Sequence, residues 1–346
     1  MRLLLVGYYG YRNWGDEGCL ATLLQSLSPQ SCTVLSGDPE FTHRTYGAWA
    51  VPRMAFRAVR QALREADGIV FGGGSLLQDA TSMRSLLYYL TLIVAGLRAR
   101  KPVWLVAQGM GPFRRPISRW WVRRVLNRLP EIRLRDEGSA HLLKRIGVQT
   151  PLRVDADLTW ALSPRGTKSP PPTNKVIGLT PRAWKGWQVE PAFVALARAL
   201  QHAGYQPLLI PMQESQDRPL CERIAQQSGA VVMAPPDHPA TLLASLASLQ
   251  AVVAMRLHGA IFALAQSVPT LCIAYDPKVN ALAQQTQMPL IPSIDVEVLL
   301  SAWQAFAPQI PHLRETLPER TRPLRQKTLH MLEHLAQQIG LVYNTS

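Results

Sequence analysis

Short apolar runs alternate with longer amphipathic segments along most of this chain. Runs such as Leu3–Val6, Ile69–Phe71 and Val252–Ala254 have the length and composition of strands buried inside a parallel sheet. The segments between such runs, for example Met54–Ala66 and Pro191–His202, have apolar residues at helical spacing. This alternation predicts an α/β fold in which parallel strands are covered by helices.

A proline-rich segment separates two stretches of this alternation. Residues 163–174 (SPRGTKSPPPTN) contain four prolines among small polar residues, which is typical of a stiff linker. We therefore predict an N-terminal Rossmann-like domain over residues 1–163, a linker over 164–174, a C-terminal Rossmann-like domain over 175–310 and C-terminal helices over 311–346. Doubly wound domains bind ligands at the carboxyl ends of their strands, so the ligand should lie in a cleft between the two domains.

The composition narrows the classes of partner. The 346 residues are 47% hydrophobic and carry a net charge of +14, so the chain can form a sizeable core and favours an anionic partner. A phosphorylated substrate and an anionic membrane surface both fit this charge. Nucleic acid is disfavoured, because the sequence has neither zinc-finger spacing nor an RNA-binding aromatic motif. The basic segment Arg114–Arg128, with Trp120 and Trp121, is either a helix that contacts a membrane or a solvated helix.

The apolar and cysteine patterns bear on the compartment. The most lipid-like segment, Leu86–Leu97, is well short of the roughly 20 residues that span a bilayer, and it predicts a buried or interface helix. The four cysteines form no CxxC pair, which is typical of free thiols in a reducing compartment. The N-terminal run lacks the features of a signal peptide. We expect a cytoplasmic protein, and its basic helices suggest peripheral contact with the inner face of the plasma membrane.

Glycine-rich loops follow three predicted strands in the N-terminal half. These loops are Gly7–Glu17, Gly72–Asp79 and Gln108–Pro112, and Arg135 follows the next strand. The glycines of the second loop expose backbone N–H groups that suit an anion or a sugar hydroxyl. Asp79 either accepts a hydrogen bond from a sugar hydroxyl or supports the loop.

Charged residues also follow the strands of the C-terminal half. Arg182 and Lys278 each come shortly after an apolar run, and so does the stretch Met255–Gly259 (MRLHG). The arginine in this stretch suits a carboxylate or a phosphate, and the histidine can carry a proton near neutral pH. The alternative is an ordinary strand-to-helix turn with a hydrogen-bonded histidine.

Taken in order, these motifs resemble the polysaccharide pyruvyl transferase family of the CsaB type. The resemblance is carried by Gly7–Glu17 (GYYGYRNWGDE), Phe71–Asp79 (FGGGSLLQD), Gln108–Pro112 (QGMGP), Arg135–Asp136 and Met255–Ala260 (MRLHGA). It implies two Rossmann-like domains facing across a cleft, similar to the GT-B glycosyltransferases. It also implies transfer of a pyruvyl group from phosphoenolpyruvate to a pair of sugar hydroxyls, giving a pyruvate ketal and phosphate. The donor is a substrate, and the resemblance implies neither a metal nor another cofactor.

The resemblance further assigns roles to residues. Phosphoenolpyruvate carries a carboxylate and a phosphate, so Arg135, Arg256 and Lys278 are the expected anion-binding residues, with Arg182 as an alternative to Arg135. His258 is the expected general acid, because neighbouring anions favour a protonated imidazole.

The base that deprotonates the sugar hydroxyl is expected to be Asp16, with Asp79 as the second choice. The remaining predicted substrate-binding residues lie in the same motifs: Leu257, Gly73, Gly74 and Asn13.

The implied acceptor is a lipid-linked or nucleotide-linked sugar of a cell-wall or surface polysaccharide precursor, with N-acetylmannosamine as the expected sugar. The sequence leaves the oligomeric state open, a homo-oligomer included. Two other functions compete with this one. The first is a nucleotide-sugar-dependent glycosyltransferase with the same two domains, and the second is a basic scaffold that binds membrane or nucleic acid without catalysis.

Overall fold

The apolar runs form strands and the amphipathic segments form helices in the computed structural model, which describes residues 1–80, 82–165 and 175–340. The strands are β1 (Leu3–Tyr9), β2 (Cys32–Ser36), β3 (Trp49–Pro52), β4 (Gly68–Gly72), β5 (Val103–Val106), β6 (Ile132–Leu134), β7 (Leu152–Val154), β8 (Val176–Thr180), β9 (Gln206–Leu209), β10 (Val231–Val232), β11 (Ala251–Ala254), β12 (Thr270–Ile273) and β13 (Leu290–Ile291).

The helices alternate with these strands. They are α1 (Trp14–Leu27), α2 (Pro39–Tyr46), α3 (Phe56–Glu65), α4 (Met83–Arg98), α5 (Pro116–Leu126), α6 (Glu137–Arg145), α7 (Val189–His202), α8 (Glu214–Ser228), α9 (Pro239–Leu246), α10 (Leu257–Ala265), α11 (Pro277–Thr286), α12 (Val296–Phe306) and α13 (Ile310–Ile339). Short 3₁₀ helices cover Pro29–Ser31, Leu158–Ala161 and Ala307–Gln309. The predicted α/β class is therefore confirmed.

The chain divides into two units, and the last helix contributes to both. The first unit comprises residues 1–162 and the chain from Leu324 onward, and the second comprises residues 163–323. The sequence analysis instead set 311–346 apart as C-terminal helices. The late part of α13 joins the first unit because Met331 and Leu335 are buried and Thr328 Oγ1 donates a 3.0 Å hydrogen bond to the backbone oxygen of Asp157. Most of the predicted linker, residues 166–174, lies outside the described residues.

The sheet of the first unit is parallel, with the strand order β3-β2-β1-β4-β5. Because all five strands run the same way, the loops after β1, β4 and β5 lie at one edge of the sheet. A bridge between Gln108 and Leu134 places β6 next to the end of β5, and β6 pairs in parallel with β7. Arg135 is thereby brought to the same edge as the three glycine-rich loops.

One face of this sheet is covered by α3, α4 and α5. Val59 of α3, Leu90 of α4 and Val122 of α5 belong to a single buried core together with Ile69 and Phe71 of β4. The predicted buried helix is α4, whose inward residues include Leu86 and Ile93. No helix in the described ranges combines the length and the apolar character needed to cross a membrane.

The second unit is built on a six-stranded parallel sheet with the order β10-β9-β8-β11-β12-β13. Ala254, the last residue of β11, pairs with Thr180 on one side and with Cys272 on the other. The carboxyl ends of β8, β11 and β12 are therefore neighbours. The predicted charged residues of the C-terminal half all follow these three strands.

Candidate functional site

The loop after β1 is shorter than the sequence indicated. Strand β1 continues to Tyr9 and helix α1 begins at Trp14, so the loop itself spans residues 10–13 rather than 7–17. Oε1 of Glu17 accepts hydrogen bonds from the backbone N–H groups of residues 10, 11 and 12, at 2.8, 3.1 and 3.2 Å. This carboxylate sits in the first turn of α1 and fixes the loop that precedes it.

Glu17 is fully buried. Burial raises the pKa of its carboxyl group to about 7, although hydrogen bonds from Tyr46 and from the Gly10 N–H act in the opposite direction. The Tyr46 hydroxyl donates to Oε2 at 3.0 Å. Of the acidic pair at the start of α1, Glu17 therefore supports the loop, and the predicted role of Asp16 as the base stays a prediction.

The glycine loop after β4 lies against the start of α1. Gly73 and Gly74 have φ angles of +67° and +71°, a region in which a side chain is strained. A Cβ on Gly74 would lie 2.7 Å from Oδ1 of Asp16, and a Cβ on Gly73 would lie 2.5 Å from Sγ of Cys19. Only glycine allows this close approach, so the structure brings the predicted Asp16, Gly73 and Gly74 together.

The third loop closes onto the second. The Gln108 side-chain amide donates to the backbone oxygens of Phe71 and Gly73, at 3.1 and 2.7 Å. The Gly109 N–H donates to the backbone oxygen of Gly74 at 2.8 Å. The loops that the sequence placed at one sheet edge are thus joined by hydrogen bonds.

Arg135 is a buried cation at this edge. Its Nη1 donates to Oδ2 of Asp157 at 2.9 Å, and its Nη2 donates to the Ser75 hydroxyl at 3.1 Å. Burial alone would lower the pKa of the guanidinium, but the carboxylates of Asp157 and Asp136 outweigh burial and raise it. Nε of Arg135 is buried and has no hydrogen-bond partner among the described residues. Arg135 is therefore held as a fixed positive charge beside the glycine loop.

Asp157 was missed by the sequence analysis. It follows β7, a strand that was not predicted because it is only three residues long and partly exposed. The sequence does contain a related pattern, because two arginines and two aspartates are each spaced two residues apart at the ends of the paired strands β6 and β7. Arg133 bonds to Asp155, and Arg135 bonds to Asp157.

Asp79 supports a loop. Its Oδ1 and Oδ2 accept the backbone N–H groups of Arg114 and Arg115, at 2.7 and 3.0 Å. Burial would raise the pKa of Asp79, but these hydrogen bonds outweigh burial and lower it. Of the two roles predicted for Asp79, the structure shows the supporting one. The second-choice role as a base is corrected, because both carboxylate oxygens are held by backbone groups and a lowered pKa weakens a base.

Asn13 is the residue that precedes α1. Its backbone oxygen accepts the N–H of Glu17 at 2.8 Å, and its side chain makes no capping hydrogen bond. The loop is thus closed by its backbone, and the predicted contact between the Asn13 side chain and substrate stays a prediction.

A second missed residue, Arg53, lies in a cage of tyrosines. It follows β3, another short edge strand absent from the sequence prediction. Its guanidinium lies between 4.7 and 6.0 Å from the ring centroids of Tyr8, Tyr11, Tyr88 and Tyr89. Nη1 donates to the backbone oxygen of Gly7, and Nη2 donates to the Tyr89 hydroxyl. Arg53 thereby ties the end of β1 to α4.

In the second unit, Arg256 precedes α10 and is paired with a buried acid. Its Nε donates to Oδ2 of Asp217 at 2.9 Å, and its Nη2 donates to Oδ1 at 2.5 Å. Asp217 lies in α8 and was not singled out from the sequence, because nothing local connects positions 39 residues apart. These bonds, with one from Nη2 to the Gln216 side chain, occupy Nε and Nη2 of Arg256, and the predicted role of Arg256 in binding the anionic donor stays a prediction.

Helix α10 begins directly after Arg256, with Leu257 and His258 in its first turn. A Cβ on Gly259 would lie 2.9 Å from Oγ1 of Thr180, so this glycine lets the helix pack against the end of β8. The N–H groups of the first turn and the positive end of the helix dipole favour an anion at this point. His258 is thus carried on an element that suits a negatively charged substrate.

Arg182 and Lys278 follow the two strands that flank β11. Nη1 of Arg182 donates to the Tyr275 hydroxyl at 2.9 Å, and the guanidinium lies 5.1 Å from the Tyr275 ring and 5.5 Å from the Trp184 ring. Lys278 lies in the first turn of α11, where its N–H donates to Oδ1 of Asp276 at 2.9 Å. The structure therefore places Arg182 and Lys278 after the strands on either side of β11, and Arg182 packs against two aromatic rings.

Comparison with known proteins identifies related sequences and folds. The family model described as polysaccharide pyruvyl transferase matches residues 19–277. No curated protein matches the chain.

Several solved structures have the same fold. S. aureus MnaA with UDP has a TM-score of 0.67 and 12% identity, over 99% of this chain and 98% of that one. Anabaena HepE in complex with UDP has a TM-score of 0.64 and 12% identity, over 98% and 100%. The UDP-GlcNAc 2-epimerase of Neisseria meningitidis bound to UDP-GlcNAc has a TM-score of 0.60 and 8% identity, over 97% and 100%. At these identities the likeness shows the fold alone, which is the predicted two-domain GT-B-like class.

Proposed function

This chain belongs to the polysaccharide pyruvyl transferase family, as its motifs indicated, and on that premise we propose that it uses phosphoenolpyruvate as donor. The proposed acceptor is a hydroxyl pair on a sugar, N-acetylmannosamine, in a lipid-linked or nucleotide-linked precursor of a cell-wall or surface polysaccharide. The products are a pyruvate ketal and phosphate. The observation that carries the proposal is the position of Arg256 and His258 at the start of α10, within the residues that match the family model. Strand β11, which precedes them, lies between β8 and β12, and these two strands are followed by Arg182 and Lys278.

The reaction needs one proton donor and one proton acceptor. Protonation of the methylene carbon of phosphoenolpyruvate makes the neighbouring carbon electrophilic, and a sugar hydroxyl attacks that carbon while losing its proton. The second hydroxyl then attacks the same carbon, its proton is released, and the C–O bond to phosphate breaks. No electrons are transferred to or from an outside group, so the atoms balance without an oxidant or reductant.

We assign the first proton transfer to His258 and the deprotonation of the hydroxyl to Asp16. His258 lies in the first turn of a helix whose positive end attracts the anionic donor. Asp16 lies against the glycine loop, and its charge contributes, after burial and Tyr11, to the raised pKa of Tyr8. The donor's carboxylate and phosphate are assigned to Arg135, Arg256 and Lys278.

We also propose that the protein acts in the cytoplasm at the inner face of the plasma membrane, where lipid-linked precursors are built.

The competing function is transfer of a sugar from a nucleotide donor. It is kept because the structural neighbours MnaA and HepE were solved with UDP. The rings of Trp184 and Tyr275, which pack edge to face beside the Arg182 guanidinium, offer aromatic surface of the kind that a nucleobase uses.

Donor use separates the two functions. The protein is incubated with an N-acetylmannosamine-containing acceptor and either phosphoenolpyruvate or a UDP-sugar, and the acceptor is analysed by mass spectrometry while phosphate is measured. We expect a pyruvylated acceptor and one phosphate per transfer, lost in His258→Ala and retained in His330→Ala, which alters an exposed histidine on α13. Sugar transfer from the UDP donor, with phosphoenolpyruvate unused, would overturn the proposal.

A further inference from the structure

The positive charge of this protein is concentrated in one segment. Residues 53–130 contain fourteen Lys and Arg residues and three Asp and Glu residues, a net charge of +11 out of +14 for the whole chain. This segment runs from the end of β3 to the end of α5 and includes all three helices that cover one face of the first sheet. Most of the net charge therefore comes from this one segment.

The outward sides of these helices carry the arginines. The three helices share one core, so their exposed residues form a single layer, here called the basic face. Its exposed arginines are Arg57, Arg60 and Arg64 on α3, Arg84 and Arg98 on α4, and Arg119, Arg123 and Arg124 on α5. Within the part of the chain that the structure describes, none of these eight forms an ion pair with a carboxylate. The fold does not neutralise this charge, so it is available to a partner.

Large apolar side chains stand among these arginines. Met54 and Phe56 are each 78% exposed at the start of α3, and Ile117 and Trp120 are 46% and 53% exposed in the first turns of α5. The guanidinium of Arg124 lies 5.6 Å from the centre of the Trp120 ring. Exposed arginines interspersed with tryptophan, phenylalanine and isoleucine are the composition that binds at the boundary of lipid headgroups and acyl chains.

We propose that the basic face docks onto an anionic phospholipid surface. Arginines bind the lipid phosphates, and Met54, Phe56, Ile117 and Trp120 insert between the headgroups. A nucleic acid would satisfy the charge and its bases would stack on Phe56 and Trp120, but it would leave the aliphatic side chains of Met54 and Ile117 in water, so the four residues together favour lipid.

The apolar residues lie at the edge of the sheet that carries the candidate site. Helix α3 begins shortly after the carboxyl end of β3, helix α5 follows the loop that leaves β5, and two contacts join the segments before these helices to the glycine loop after β4 and to β1. The Asp79 carboxylate binds the N–H groups of Arg114 and Arg115, and Nη1 of Arg53 binds the Gly7 backbone oxygen. A docked bilayer would therefore be close to the loops around Asp16. The benefit for a lipid-linked acceptor rests on the proposed function, but the lipid contact itself does not.

Vesicle co-sedimentation tests the proposal. The full-length protein is mixed with vesicles of phosphatidylcholine alone or of phosphatidylcholine with phosphatidylglycerol, at rising salt concentration. We expect binding only to the anionic vesicles, weakened by salt. Removing three charges with Arg119→Gln, Arg123→Gln and Arg124→Gln should weaken binding on the order of 100-fold. Trp120→Ala should weaken binding without any change in charge.

A matched control removes the same charge elsewhere. Arg322→Gln, Arg325→Gln and Lys327→Gln alter three exposed residues of α13 and should leave vesicle binding within about twofold of the unmodified protein. Circular dichroism establishes that all variants are folded. The proposal is overturned if anionic vesicles do not bind the unmodified protein, if the control weakens binding as much as the α5 variant, or if tRNA competes at lower concentration than lipid phosphate.

The assay also distinguishes this proposal from the proposed function. Vesicle binding without any use of phosphoenolpyruvate would leave the docking surface standing and remove the enzymatic assignment. Transfer to a water-soluble acceptor should be unchanged in the α5 triple variant, because none of its residues belongs to the candidate site.

Discussion

Glu17 makes the stability of the first unit depend on pH in the neutral range. Its carboxyl group is buried, and burial raises its pKa from the ordinary 4.5 to about 7. An acid with a raised pKa in the folded state binds its proton more tightly in the folded protein than in the unfolded chain. The stability that protonated Glu17 contributes is therefore complete below pH 4.5, and it is lost as the pH rises through 7. A difference between 4.5 and 7 corresponds to about 3 kcal/mol of unfolding free energy.

The substitution Glu17→Gln should remove this dependence. The glutamine oxygen can still accept the N–H groups of Gly10, Tyr11 and Arg12, and its amide can donate toward the Tyr46 hydroxyl. The variant therefore resembles the protonated acid at every pH. Between pH 5 and pH 8 we expect the variant to gain about 2.5 kcal/mol of unfolding free energy over the unmodified protein, because part of the effect is already present at pH 5.

Urea unfolding followed by circular dichroism at pH 5, 6, 7 and 8 measures this difference. Every other titrating group is common to both proteins, so the difference between the two curves isolates Glu17. The Tyr46 hydroxyl bond lowers the pKa of Glu17, so Tyr46→Phe should move the loss of stability to higher pH. A difference that stays constant from pH 5 to 8, or that changes in the opposite direction, would refute the reasoning.

Three further substitutions test the site. Gly74→Ala places a Cβ 2.7 Å from Oδ1 of Asp16, so we expect transfer to slow on the order of 100-fold as the acid is displaced, measured as kcat. Asp217→Ala leaves Arg256 buried without its counter-charge and should lower the unfolding free energy by about 3–5 kcal/mol, measured with urea. Asp79→Asn should cost about 1–3 kcal/mol of stability, through the backbone N–H group it no longer satisfies, while kcat changes little.

Each of these substitutions has a matched control. Gly47→Ala has the same left-handed backbone, with φ at +68°, but nothing lies within 4 Å of its Cβ, so it should lose about 1 kcal/mol of stability and no activity. Arg223→Ala removes an exposed ion pair with Glu190 and should cost less than about 1 kcal/mol. Asp16→Asn should lose transfer. Equal loss of kcat in Asp79→Asn and Asp16→Asn would contradict the supporting role of Asp79.

The arrangement of the site loops could be predicted because it follows from the chain order of apolar runs. Each run became a parallel strand, and parallel strands bring their carboxyl ends to one edge. Asp16, Gly74 and Arg135 therefore lie at the edge of the first sheet that the sequence pattern predicted. Membership of the family was predicted from the same motifs and is confirmed by the match over residues 19–277.

The residues that hold the site were harder to predict. Arg53 and Asp157 follow β3 and β7, which are strands of four and three residues at sheet edges, and runs this short do not identify a strand on their own. Asp217 pairs with Arg256 across 39 residues, and only the packing of α8 against the sheet reveals the pair. The role of Asp79 depended on which backbone N–H groups its carboxylate meets, and that is a property of the folded loop.

The sequence pattern also did not indicate that the chain from Leu324 onward belongs to the first unit. Helix α13 has Pro318 and Pro323 within it, and helices often end or bend at proline. The chain nevertheless continues as one helix to Ile339, because the buried Met331 and Leu335 anchor its last turns in the first unit. Burial of these residues, rather than the local preference of the prolines, therefore accounts for the continuation of α13 past Pro323.

The central claim is that phosphate leaves by cleavage of its bond to carbon after the methylene carbon is protonated. Phosphoenolpyruvate labelled with ¹⁸O at the bridging oxygen, incubated in D₂O with the sugar acceptor, tests both parts in one experiment. The account predicts that the label appears in the released phosphate, that the ketal methyl group contains one deuterium, and that neither product forms without acceptor. Label retained in pyruvate, or phosphate released without acceptor, would contradict it.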